Sequence, residues 1–186
     1  MERCPWSTSN QQMIEYHDTE WGRPLFSDKK LFEALVLDCF QPGLSWATIL
    51  AKRENFRKAF DGFLAQKIAK YGSKRVRILL RDSSIIRNRL KIEATIENAR
   101  AFLKTKEEHK TFAKYLWNFV DGKPIQNIWR RAEDIPAKTD LSEKISRDMK
   151  KKGFRFVGPT TIYAYMQGVG MVNDHVITCF RNIIKQ

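Results

Sequence analysis

Apolar positions along this chain follow helical spacing. Leu31, Phe32, Leu35, Val36 and Cys39 form one stripe, which predicts a helix over 28–41 with Ser27 as N-cap. Pro42-Gly43 breaks it. Ser45 caps a second helix running to about Phe60, closed by Asp61-Gly62. Short helices are predicted over 64–70 and 74–80. A longer one covers 91–104, and another covers 111–120, ended by Asp121-Gly122. Residues 123–138 hold Pro124 and Pro136 and read as a connecting loop. Helices resume at 140–152, at 160–168 and near 174–180. No strand, internal repeat or low-complexity tract stands out. The expectation is an all-α fold, with one domain spanning 1–186.

The chain has 186 residues, and 42% of them are hydrophobic, enough for a real core. No apolar run approaches membrane-spanning length, and no signal peptide is visible, so the protein is expected to be cytoplasmic, with no membrane partner. Cys39, inside an apolar run, reads as a buried core thiol. The formal net charge of +13 points to a polyanion, nucleic acid before membrane. The basic residues are scattered, and many of them must simply solvate helix faces.

Cys4, His17, His175 and Cys179 are most of the soft and borderline metal ligands in the chain. His175 and Cys179, spaced i, i+4, would share one face of a helix. Two thiolates and two imidazoles suit a closed tetrahedral zinc site that ties one end of the chain to the other. Four protein ligands would leave no open position, so such a metal is structural. The same residues also read as a buried cysteine and a capping histidine, because the spacing of Cys4 and His17 matches no standard finger.

Residues 141–164 read as helix, tight hairpin, helix. Gly153 would end the first helix, Gly158 would let the backbone approach a ligand, and Pro159 fits the first turn of the second helix. The helix start offers an anion site suited to DNA phosphate. Trp6, Tyr16, Trp21 and Trp46 crowd the first quarter of the chain, where either core packing or base stacking explains them. Asp38 lies at the edge of the apolar stripe, facing a partner or a half-dry cavity. Leu44, in a loop, has the character of a wedge between base pairs.

As a set, Met1-Glu2-Arg3-Cys4, Tyr16-His17-Asp18, Glu20-Trp21-Gly22, Gly43-Leu44-Ser45-Trp46, Lys52-Arg53-Glu54, Phe154-Arg155-Phe156-Val157-Gly158 and Val172-Asn173-Asp174-His175 resemble the 3-methyladenine DNA glycosylase I family almost end to end. The resemblance implies a helix-hairpin-helix DNA glycosylase fold, and an enzyme that flips 3-methyladenine out of alkylated duplex DNA and hydrolyses its N-glycosidic bond. It implies one structural zinc held by Cys4, His17, His175 and Cys179. Tyr16 and Trp46 would stack on the base, with Trp6 and Trp21 walling the pocket. Asp38 would accept a hydrogen bond from the adenine amino group and serve as the catalytic carboxylate. Leu44 would fill the gap in the duplex. Gly43, Phe156, Val157, Gly158 and Thr160 complete the expected DNA contacts.

One departure bears on the pocket: well-known members carry Glu where this chain has Asp38. Cys39-Phe40 and Pro42 differ from the family pattern as well. Asp174 is the other carboxylate available after the hairpin, and a structural or capping role is expected for it beside His175. Thr160 stands where strand-cutting relatives of this fold would carry a lysine. A monofunctional enzyme is therefore expected, acting as a monomer and leaving an abasic site, with free 3-methyladenine as product. A zinc-stapled DNA-binding module without catalysis would explain charge, hairpin and metal, but not Asp38 among four aromatics.

Overall fold

The computed structural model describes residues 2–182. Met1 and 183–186, within the domain expected over 1–186, lie outside the described residues. Helix α1, Gln11–Thr19, is largely polar and escapes a periodicity reading. It is started by Asn10, whose side chain accepts from Met13 N–H at 2.9 Å. Helix α2, Asp28–Phe40, follows the expected stripe and is buried on nearly every face from Leu31 onward. The helix expected from Ser45 to Phe60 is two helices, α3 (Trp46–Ala51) and α4 (Arg53–Ala59). Lys52 joins them with φ −100° and ψ 0°, and its Nζ reaches Ser84 O at 3.1 Å. Ile49 and Leu50 from α3 and Phe56 from α4 are all buried.

Helices α5 (Ala65–Ile68), α6 (Ser73–Arg81), α7 (Arg89–His109) and α8 (Phe112–Trp117) follow. They wrap a core that includes Phe32, Phe40, Phe56, Phe60, Phe63 and Phe112, all fully buried. Each such ring contributes about 1.5–3 kcal/mol by leaving water. Helices α9 (Asp140–Lys151) and α10 (Pro159–Gly168) pack against each other, joined by a hairpin at 152–158. Thr139 and Ser142 exchange a capping box at the start of α9. No helix of the described residues is long and apolar enough to cross a membrane.

Two further expectations fail. The loop at 123–138 and the following segment contribute a short parallel pair, β1 (Ile125–Gln126) with β2 (Val172–Asn173), too brief for any alternating pattern to show. Residues 174–180 form turns, not a helix. Their polar groups are engaged elsewhere: Ile177 N–H donates to Trp129 O at 2.9 Å, and Asn182 Nδ2 donates to His175 O at 2.6 Å.

Candidate active site

A cleft of about 630 Å³ opens between α1, α2, α3 and α4, within the range of small-molecule sites. Tyr16 and Trp46 stand on its walls with ring centroids 5.4 Å apart. Asp38, from the last turn of α2, lies within it at 5% exposure. Among the described residues no side chain or backbone group hydrogen-bonds its carboxyl. Burial pushes that carboxyl well above the usual carboxylate range. Burial and then the nearby Asp38 hold the Tyr16 phenol neutral, its pKa also well raised. Gly168, at the end of α10, closes the cleft beside the Tyr16 hydroxyl.

The rim carries an ion network that sequence reading missed. Arg53 grips Glu20 through two nitrogens at 2.7 and 2.8 Å, and its Nε donates to Glu33 at 3.0 Å. Arg57 joins Glu33 at 2.6 Å and also pairs with Glu54. The clue was Glu33 itself, a charge inside the apolar run of α2 and buried in the fold. The network ties α1, α2 and α4 together around the opening.

Trp6 and Trp21, expected on the pocket walls, are not among the residues lining the cleft. They pack instead on a second cluster behind Tyr16. The Trp6 and Trp21 rings meet edge-on at 4.9 Å, and Trp21 meets His175 at 4.6 Å. In that cluster Cys4, His17, His175 and Cys179 converge, all buried, with their candidate ligand atoms within 4.8 Å of one another. Cys179 Sγ is 3.4 Å from both His17 Nε2 and His175 Nδ1, and Cys4 Sγ is 3.6 Å from His175 Nδ1. Zinc bonds of about 2.0–2.3 Å put tetrahedral ligand atoms roughly 3.5 Å apart, so the set fits that ion.

The other nitrogen of each imidazole is engaged as well. His17 Nδ1 meets Asp18 Oδ1 at 2.8 Å, and His175 Nε2 meets Trp21 O at 3.3 Å, the usual support for ligating histidines. Arg3 in turn holds Asp18 at 2.8 Å. Hydrogen bonding, first from Cys4 and then from the two histidines, lowers the Cys179 thiol, while the same pairing with Cys179 raises the Cys4 thiol, so without an ion the pair favours one thiolate.

Asp174 is 1% exposed and accepts from Asn127, Trp129, Tyr163 and Gln167 at 2.6–2.8 Å. It binds the segment after β2 to α10 and the β1 loop, the structural role expected of it.

Leu44 is 38% exposed in the loop after α2, beside Gly43 with φ +86°. In the hairpin, Phe156 is also 38% exposed, with φ +56°. Val157 points into the core and its carbonyl accepts from Ser146 Oγ at 2.6 Å. It can therefore meet a ligand only through its main chain. Gly158 is the N-cap of α10, and a Cβ there would meet nothing within 4 Å. Thr160 is exposed on the first turn.

A helical scaffold with an aromatic cleft and one unpartnered buried carboxyl suits an enzyme that receives a flat, electron-poor ring. Comparisons with known proteins narrow the class. The family model described as methyladenine glycosylase matches residues 6–182. The DNA-3-methyladenine glycosylase of Haemophilus influenzae is 44% identical over 177 residues, covering 95% of this chain and 96% of that one. A crystal structure of 3-methyladenine DNA glycosylase I superposes with a TM-score of 0.95 at 43% identity, covering 97% of this chain and 100% of that one. A variant of 3-methyladenine DNA glycosylase I in complex with 3-methyladenine superposes with a TM-score of 0.94 at 33% identity, covering 98% of each chain. The chain belongs to the methyladenine glycosylase family.

Proposed function

We infer that this chain is a DNA-3-methyladenine glycosylase and that the Asp38 cleft is the pocket in which it holds the damaged base. One observation carries the reading: Asp38 is a buried carboxyl without a hydrogen-bond partner among the described residues, between Tyr16 and Trp46. The carboxyl opens on the cleft with no protein group to bond, so its acceptors are left for a ligand. An adenine methylated at N3 is cationic in DNA and offers an exocyclic amino group. Its charge favours the Asp38 carboxylate, its N–H satisfies that carboxylate, and its ring suits the two aromatic faces.

The chemistry then needs little more. The bond between the base nitrogen and the sugar C1′ breaks with its electron pair going to the cationic base, which leaves as neutral 3-methyladenine. Water adds to the oxocarbenium-like C1′ and loses a proton to solvent, leaving an abasic site in an intact strand. Asp38 and the two rings hold the base in place and stabilise its charge. Leu44 fills the space the base vacates. Residues 140–168 serve as a helix-hairpin-helix, with Gly158, Thr160 and the free N–H groups of α10 meeting a phosphate and Gly43, Phe156 and the Val157 main chain beside it. One zinc, held by Cys4, His17, His175 and Cys179, would fasten the segment around α1 to the segment after β2. It contributes stability and takes no part in the reaction. The enzyme acts as a monomer on alkylated duplex DNA.

The test is release of free methylated base from alkylated duplex. The parent should release 3-methyladenine, and Asp38→Asn should release it far more slowly. A parent that binds such DNA without releasing base would instead favour a DNA-binding module.

A further inference from the structure

Helix α7 passes both regions read above as DNA contacts, and it reaches each with a buried polar side chain. Lys91 is 7% exposed. Its Nζ donates to Phe40 O at 2.7 Å and Pro42 O at 2.6 Å. These carbonyls end α2 and open the loop that presents Gly43 and Leu44, and a cation is favoured at a helix C-terminus. Two turns further along α7, Asn98 is buried. Its Oδ1 accepts from Arg155 N–H at 2.7 Å, and its Nδ2 donates to Arg155 O at 3.1 Å. The amide thus closes on both backbone groups of one hairpin residue, as a neighbouring strand would. Cys39, between Asp38 and Phe40, reaches the Arg155 and Phe156 carbonyls through Sγ at 3.7 and 3.6 Å.

Lys91 and Asn98 are seven residues apart and share a helix face. Burying an ammonium and a carboxamide there costs more than burying two leucines. What the two side chains secure is the place of two loops. Neither residue lines the Asp38 cleft.

We propose that Lys91 and Asn98 are positioning residues for DNA. From one rigid helix they hold the Leu44 loop and the 152–158 hairpin in fixed register, so that wedge and phosphate contacts fall on one duplex together. The proposal rests on the reading of Leu44 and the hairpin as DNA contacts. Free 3-methyladenine needs only the cleft, whereas a damaged duplex needs cleft, wedge and hairpin at once.

Lys91→Met and Asn98→Ala are therefore compared with the parent and with Leu44→Ala in three measurements. These are binding of free 3-methyladenine, single-turnover excision from alkylated duplex below saturation, and fluorescence of a 2-aminopurine beside the lesion, which reports unstacking. Both variants should bind the free base like the parent. Excision should fall roughly ten- to a hundredfold, the scale of a misplacement of about 1 Å, and the fluorescence change should shrink with it. Parent-like excision by Lys91→Met and Asn98→Ala beside an impaired Leu44→Ala would overturn the positioning roles alone. Parent-like excision by Leu44→Ala would fault the wedge reading and the proposal with it. Loss of free-base binding in step with excision would also overturn the proposal, since both residues would then support the whole fold.

Discussion

A Cβ on Gly168 would stand 3.2 Å from the Tyr16 hydroxyl. The last helical residue of α10 thus sets how far the Tyr16 ring can reach into the cleft. Alanine inside a helix is favoured over glycine by about 0.5–1 kcal/mol, and displacing Tyr16 works against that gain, so Gly168→Ala should melt close to the parent. It should nonetheless bind 3-methyladenine more weakly, within the roughly 1–3 kcal/mol that stacking of a base is worth. Calorimetry beside a base-binding titration checks the split. Parent-like affinity would show that the Tyr16 position does not matter.

The raised pKa of Asp38 gives a pH dependence of opposite sign for activity and for stability. Excision needs the carboxylate, so it should climb as pH rises through the native pKa. Stability should move the other way. Between the usual carboxylate range and that raised pKa, the native state keeps a proton that the unfolded chain has lost, so stability falls as pH rises. Asp38→Asn has no such proton, and its stability should be flatter over the same window. Urea denaturation of both proteins at several pH values checks this, and parallel curves would refute it.

Metal analysis of protein prepared without added zinc should find one zinc per chain. Cys4→Ser or a strong chelator should lower stability by more than about 2 kcal/mol, since loss of a metal is among the large single-site effects. Below the new melting transition, excision should change little, because none of the four side chains lines the cleft. A metal-free parent with unchanged melting in Cys4→Ser would remove zinc from the account.

Borohydride trapping during turnover should yield no covalent protein–DNA adduct. A Schiff base needs a free amine at the sugar. Lys91 is a buried amine whose pKa burial lowers, but its Nζ is committed to two backbone carbonyls. Thr160 has no amine to offer. An adduct that disappears on changing one lysine would show the enzyme to be bifunctional.

The parts of this molecule legible in its sequence are those whose reason is local. The α2 stripe, the Ser45 cap, the Gly153 stop and the Pro159 start act over a few residues, and each fell where expected, although the helix that Ser45 begins ends early. Helix α1 hid because its start depends on one Asn10 hydrogen bond and its sequence is mostly polar. The i, i+4 spacing of His175 and Cys179 suggested a helix, but distant partners engage that segment: Trp129 and Asn182 meet its backbone, and Cys4 and His17 meet its side chains. Trp6 and Trp21 were assigned to the cleft because aromatic type alone cannot say which of two adjoining clusters a ring joins. The support at Lys91 and Asn98 was invisible, since both act on the backbone of residues far away in sequence.

The cluster of Cys4, His17, His175 and Cys179 joins side chains 162 and 171 positions apart. During synthesis, the first pair emerges long before the second pair exists. Meanwhile the segment from Cys4 to Trp21 can dock on α3 and α4 through Tyr16 and Glu20, but its cluster stays half built. Capture of an ion by all four ligands would be a late event, and a chain halted before His175 carries Cys4 without His175 and Cys179 beside it. Such nascent chains would be the form most open to thiol oxidation.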